Sequence, residues 1–208
     1  MAPKFGDALT KMVIVHGAVT VDLGCAQWNG DVNSALGEAV SIANYAANVW
    51  QSRATRPGTL LQDMLGASNE DDQTTLSFAQ TWFQKAAVAG SNNLIIYCTD
   101  SHLNNIVPGK FRDPDNGYAQ VTIGSSNTAC GGSLRAFSYP GSGRNVIVLC
   151  SDSGNGALRT YHSPTFGQWN TQGDFRQVNS GNLNTFGVYL SYKILHELFH
   201  CADFQQCK

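Results

Sequence analysis

Charge is what this sequence has least of. Only 13% of its 208 residues are charged, and 13 Lys and Arg stand against 15 Asp and Glu, a formal net charge of −2. Without a basic excess, the electrostatic footprint of nucleic-acid binding is missing. No apolar run approaches the length of a membrane span, so no transmembrane helix is expected. There is no N-x-S/T sequon, no C-x-x-C pair and no G-x-S-x-G elbow for a serine nucleophile. The Gly-rich stretch GSSNTACGGS (124–133) lacks the Lys and following helix of a phosphate loop and reads as a turn. Internal repeats and a clear linker are also missing, which leaves a single domain.

Gly, Ser, Asn, Thr and Gln supply the remaining polarity, as on many secreted proteins. Six cysteines stand at 25, 98, 130, 150, 201 and 207, scattered between unlike segments. They are expected to form up to three disulfides, which places the chain in an oxidising compartment. Met1-Ala2-Pro3-Lys4-Phe5 shows no basic region followed by an apolar run. A secreted reading therefore implies a mature form carrying an added start Met.

Hydrophobic spacing gives the elements. The Val-rich stretch KMVIVHGAVTVDL (11–23) reads as strand or hairpin. From Asn29 or Asp31 a helix is expected to about Ser52, with Val32, Leu36, Ala39, Val40, Ala43, Ala47 and Trp50 at three- and four-residue steps. TLLQDMLG (59–66) suggests a short helix, and DDQTTLSFAQTWFQKAAVAG (71–90) a longer one that Gly90 stops. Strands are expected at 93–99, 118–124, 134–139 and 145–151, then a long surface loop over 152–181. A last helix, residues 183–200, carries Phe186, Leu190, Ile194 and Leu198. Helices, then strands, then a final helix indicate an α+β domain.

That final helix contains His196-Glu197-Leu198-Phe199-His200, the pattern H-E-x-x-H. With 5 His and 3 Glu in the chain, chance supplies roughly 0.002 such matches. Residues four apart share a helix face, so His196 and His200 can aim both imidazoles at one metal ion. Glu197 lies about a quarter turn away, placed to take a proton from a zinc-bound water rather than to act as a ligand.

A third ligand has few sources: Cys201, Asp203, Cys207 or a side chain upstream. On a straight helix Asp203 lies about 4.5 Å beyond His200 along the axis, too far for a short carboxylate to reach a metal held between the histidines. A helix would also hold Cys201 and Cys207 roughly 9 Å apart, beyond disulfide range. A Cys201–Cys207 bond would therefore force a turn directly after His200 and swing Asp203 back. Upstream, His162 and Asp174 are the reserve ligands, while His16 and His102 read as ordinary histidines.

In the order and spacing of these features, residues 20 to 202 resemble the fungal deuterolysin-type metallopeptidases, the aspzincins. The likeness runs from Cys25 and the Ala-rich helix through IIYC at Cys98 and the later pair Cys130 and Cys150 to ILHELFH. It implies a zincin-like fold with N-terminal helices, a small, mostly antiparallel sheet and a C-terminal active-site helix. It further implies a secreted, monomeric zinc endopeptidase acting on protein or peptide substrates, with His196 and His200 as ligands and Glu197 as general base. The disulfides it implies are Cys25–Cys98 and Cys130–Cys150, with Cys201–Cys207 an addition; residues 1–19 become an N-terminal extension to a 20–208 domain.

The chain departs from that pattern in two places. The family's third ligand lies in a G-T-x-x-D motif that has no counterpart in the eight residues after His200, so Asp203 is the expected substitute. The family's transition-state Tyr is missing from CSDSG (150–154), which leaves Tyr161, Tyr189 and Tyr192 as stand-ins. A secreted zinc-binding protein with a non-catalytic site is the alternative reading.

Overall fold

The computed structural model describes residues 14–16, 19–49, 73–151, 154–166 and 187–204. The fold is mixed α+β, with helices and a small second sheet on opposite faces of a five-stranded sheet. Strands β1 (Ile14–His16) and β2 (Val19–Val21) form an antiparallel hairpin that leads into a 3-10 turn, Leu23–Trp28. Asp22 caps that turn by accepting the Gly24 N–H at 2.7 Å. Helices α1 (Asn29–Val49) and α2 (Gln73–Ser91) follow, each close to its expected span. Both lie in the connection from β2 to β3 (Leu94–Tyr97), which pair in parallel.

Next comes the second sheet, β4 (Asn104–Val107), β5 (Lys110–Asp113) and β6 (Ala119–Thr122), all antiparallel. The chain then returns to the first sheet with β7 (Ala136–Pro140) and β8 (Asn145–Leu149). A single helical turn, α3 (Ala157–Thr160), interrupts the expected long loop, and α4 (Leu190–Phe204) ends the described chain. The expected helix at 59–66 lies outside the described residues.

The large sheet has the order β1-β2-β3-β8-β7. Its pairings β2–β3 and β3–β8 are parallel, so the expectation of a mostly antiparallel sheet is corrected to a mixed one. The physical reason is coverage on both faces. Every residue of β3 and β8 is buried, and a strand covered on both sides carries a continuous apolar run such as LIIY or NVIVL. Ile14–His16, expected in an extension, instead form the outer strand of this sheet.

One face of the sheet (Val19, Val21, Leu94, Ile96, Ile147 and Leu149) packs against α1, α2 and α4. The helices approach closely because small residues meet there, among them Ala35, Ala39, Ala43, Ala86 and Ala89, all fully buried. At Gly90 an added Cβ would stand 2.6 Å from Val40 and 2.9 Å from Leu198, so only glycine fits between α1 and α4. On α4, Leu190, Ile194, Leu198 and Cys201 form a fully buried stripe at three- and four-residue steps. Burying that stripe fixes the rotation of α4 and hence the direction in which its histidines point.

The other face (Ile95, Tyr97, Val146 and Val148, with Phe137 and Tyr139) packs on Phe111 and Val121 of the second sheet. A polar pin crosses this apolar layer. The fully buried Asp113 carboxylate accepts the Tyr139 hydroxyl at 2.6 Å, the Asn116 amide at 2.6 Å and the backbone N–H groups of Asp115 and Asn116. Tyr139 in turn accepts from His102 Nε2 at 2.9 Å, and the His102 ring stacks 3.6 Å from Tyr97. Burial holds the His102 pKa below the usual histidine range.

Two disulfides staple these layers. Cys25–Cys98 joins the turn before α1 to the end of β3 across 73 residues, and Cys130–Cys150 joins the approach to β7 with the end of β8 across 20. Both pairs agree with expectation. Cys201 carries a free, buried thiol, and its expected partner Cys207 lies outside the described residues. No helix among the described residues is long and apolar enough to cross a membrane.

Candidate active site

The H-E-x-x-H residues sit in the middle of α4, on the turns facing β7. Opposite the buried stripe, Tyr192, His196 and His200 are exposed along one side of the helix. The Nε2 atoms of His196 and His200 stand 3.2 Å apart, their rings nearly perpendicular. Two nitrogens bound to one tetrahedral zinc at about 2.0–2.1 Å each would be roughly 3.4 Å apart. The separation of the pair is thus close to the one that a shared zinc ion would require.

Unlike the two histidines, Glu197 is buried, at 5% exposure. It lies against β7, where Ser138 Oγ donates to its Oε2 at 2.9 Å. Alternation along the strand makes this possible: Phe137 and Tyr139 point into the core beneath, so Ser138 must point towards α4. Burial raises the Glu197 carboxyl above the usual glutamate range, an effect that the Ser138 hydroxyl and the two histidines partly offset. A raised carboxyl is a stronger base near neutral pH than an exposed glutamate.

An open cleft of roughly 700 Å³ lies beside these groups, lined by Arg135, Ala136, Gly187, Tyr192, Lys193, His196 and Glu197. Arg135 and Ala136 bring the beginning of β7 to the cleft, and β7 pairs with β8 as the last described strand on its side of the sheet. The three candidate tyrosines separate clearly. Tyr189 is buried with its ring edge-on to Phe166, and the Tyr161 hydroxyl donates to Asp31 of α1. Tyr192 is the one that lines the cleft.

The remaining sequence-expected ligands are not assembled. Backbone helix runs on through Phe204, so the turn expected directly after His200 is absent and is corrected here. Hydrogen bonding along the helix outcompetes a break when nothing in the last turn disfavours it. The Asp203 side chain, like Asp174, lies outside the described residues. His162 is exposed, and its backbone N–H is bonded to the Val188 carbonyl at 2.8 Å. Burial pushes the Cys201 thiol up to about 12, which keeps it protonated and a poor metal ligand. Among the described residues no group of three His, Cys, Asp or Glu converges.

Ser138, Arg135 and Lys193 are site residues that the sequence reading does not contain. Lys193 alone had a local signal, since it lies three residues before His196 and so shares its side of the helix. Ser138 is 59 residues from Glu197 in the chain. Comparison of the chain with protein families, with curated proteins and with solved structures finds no match.

Proposed function

We propose that this chain is a secreted, monomeric, zincin-like zinc endopeptidase that cleaves protein or peptide substrates. One observation carries the reading: a pair of imidazole nitrogens 3.2 Å apart opens on a cleft beside a buried carboxylate one residue along the helix. Zinc held by His196 and His200 would supply Lewis acidity, polarising a peptide carbonyl and making water acidic enough to deprotonate near neutral pH. Glu197 accepts a proton from the attacking water, oxygen adds to the carbonyl carbon, and Glu197 returns the proton to the amide nitrogen as the C–N bond breaks. Ser138 holds the Glu197 carboxylate in place for both transfers. A substrate backbone pairs with the open edge of β7, which supplies main-chain hydrogen bonds without regard to side chains. Tyr192, on the turn before His196, is the proposed donor to the developing oxyanion.

The two disulfides support an oxidising, extracellular setting. Zinc content and turnover test the function together. The purified chain is expected to hold one zinc ion, and its cleavage of an unfolded protein should vanish in chelator and return with added zinc. Cleavage that persists in chelator would overturn the proposal. One bound zinc without cleavage of any unfolded protein would instead assign the alternative, a zinc-binding protein.

Asp203 is the proposed third ligand, which requires the last turn of α4 to open when zinc binds. Asp203→Ala is then expected to weaken zinc binding at least about tenfold without loss of fold, since catalytic zinc normally takes three protein ligands. Competition with a metal-sensitive dye measures this. Unchanged affinity would move the third position upstream, to His162 or Asp174.

A further inference from the structure

Two cations, Arg135 and Lys193, line the cleft. Lys193 is buried, at 7% exposure, and its Nζ donates to the Ala157 carbonyl at 3.2 Å and to Thr160 Oγ1 at 2.9 Å. Two of its three N–H donors are thus held by α3, which fixes the ammonium beside the cleft. Arg135 is exposed at the start of β7, and Gly187 faces it across the cleft, with 3.6 Å between an added Cβ and Arg135 Nη1.

Like charges lining one cleft repel unless something offsets them. Burial first, and the Arg135 charge second, lower the Lys193 pKa to about 8. Among the described residues no carboxylate is paired with either cation. Glu197 lines the same cleft but is committed to Ser138. Arg135 and Lys193 thus bring two cations to the lining of one cleft, with no carboxylate among the described residues bonded to either.

We propose that Arg135 and Lys193 form a subsite for a carboxylate of the substrate. The inference rests on the peptidase reading and adds a substrate class to it. Lys193 precedes His196 by three residues, about 4.5 Å along α4, and an extended peptide advances about 3.3 Å per residue. The carboxylate therefore lies one or two residues from the bond cleaved. Arg135 supplies the fork that binds a carboxylate through two parallel hydrogen bonds, and Lys193 adds a fixed point charge behind it. The same chemistry is offered by an Asp or Glu side chain and by the free C-terminus of a peptide.

Matched peptides separate these sources. One series replaces Gln by Glu at each of three positions on either side of the cleaved bond. A second compares free and amidated C-termini one or two residues beyond it. At one position the Glu peptide is expected to exceed its Gln partner about tenfold in kcat/KM, with the difference in KM. If the free C-terminus is the ligand, the preference follows the free acid instead. Arg135→Gln should bring the ratio close to one, and Arg135→Lys should keep part of it. A ratio near one in the unaltered protein, or one that survives Arg135→Gln, overturns the proposal.

Calorimetric binding of the short Glu peptide and its Gln partner to the metal-free chain needs no turnover. Tighter binding of the Glu peptide that Arg135→Gln removes supports the cation site even if no peptide is cleaved. Equal binding of the two peptides in a protein that does cleave sinks the subsite and leaves the peptidase reading standing.

Discussion

Glu197→Gln is expected to lower peptide hydrolysis by about 10²- to 10⁴-fold, the range over which a positioned general base contributes, while zinc content stays at that of the unaltered protein. The separation follows from the geometry. Glu197 lies against β7, bonded to Ser138, while the two Nε2 atoms converge on the exposed side of the helix. Gln keeps the size of the side chain and an oxygen that can accept the Ser138 hydroxyl, but it cannot accept a proton from water. Burying a neutral amide also costs less than burying a carboxylate, so the melting temperature should hold or rise. Loss of zinc along with activity would mean that Glu197 positions the metal rather than serving as base. Full activity in the variant would remove the proposed mechanism altogether.

How much of this was readable in advance depends on distance along the chain. The pairing of His196 with His200 follows from helical periodicity alone, and α1 and α2 follow from the same rule because their buried alanines recur at helical steps. The parallel pairing of β3 with β2 and β8 is a different matter. LIIY and NVIVL carried the continuous apolar signature of strands covered on both faces, but their neighbours in the sheet are set by crossovers that no local pattern encodes. Strands β4 and β5 were missed for another reason. NNIV is exposed at every position, and KFRD alternates in burial but has the polar Asp113 at one of its two inward positions, so neither shows an apolar stripe. Pro108-Gly109 between them was the usable signal: Gly109 has φ +78, and a Cβ there would meet the Gly124 carbonyl at 2.2 Å.

The site divides in the same way. The two imidazoles and the carboxylate come from one turn of one helix, and their closeness was legible. Arg135, Ala136 and Ser138 come from β7 and its approach, whose contact with α4 arises because the sheet and the stripe of α4 bury one another. Nothing near Ser138 or Arg135 announces that contact. The end of α4 shows the reverse error, in which a local inference reached too far. The turn expected directly after His200 is replaced by helix through Phe204, within which Cys201 belongs to the buried stripe and packs as a small apolar group.

The second large effect is expected from the Cys25–Cys98 bond. Cys25→Ala with Cys98→Ala should cost about 4 kcal/mol of stability, because the bond closes a loop of 73 residues and so restricts the unfolded chain. Removing the Cys130–Cys150 pair, with its loop of 20 residues, should cost about 3 kcal/mol on the same account. At about 2–4 °C per kcal/mol for a chain of this size, the first pair lowers the melting temperature by roughly 8–16 °C. Position adds to loop length here. Cys25 and Cys98 are both fully buried, and their bond ties the entrance of α1 to the end of β3, between the helices and the sheet. Denaturant unfolding of the two double variants, with the unaltered protein run with and without reductant, measures both losses. Below the transition, the first variant should still bind zinc, since His196 and His200 are positioned by the packing of α4 rather than by the bond. A loss under about 1 kcal/mol would show that the unfolded chain is already compact around that loop. Loss of zinc binding in a variant that remains folded would show instead that the bond, through α1 and Gly90, sets the place of α4.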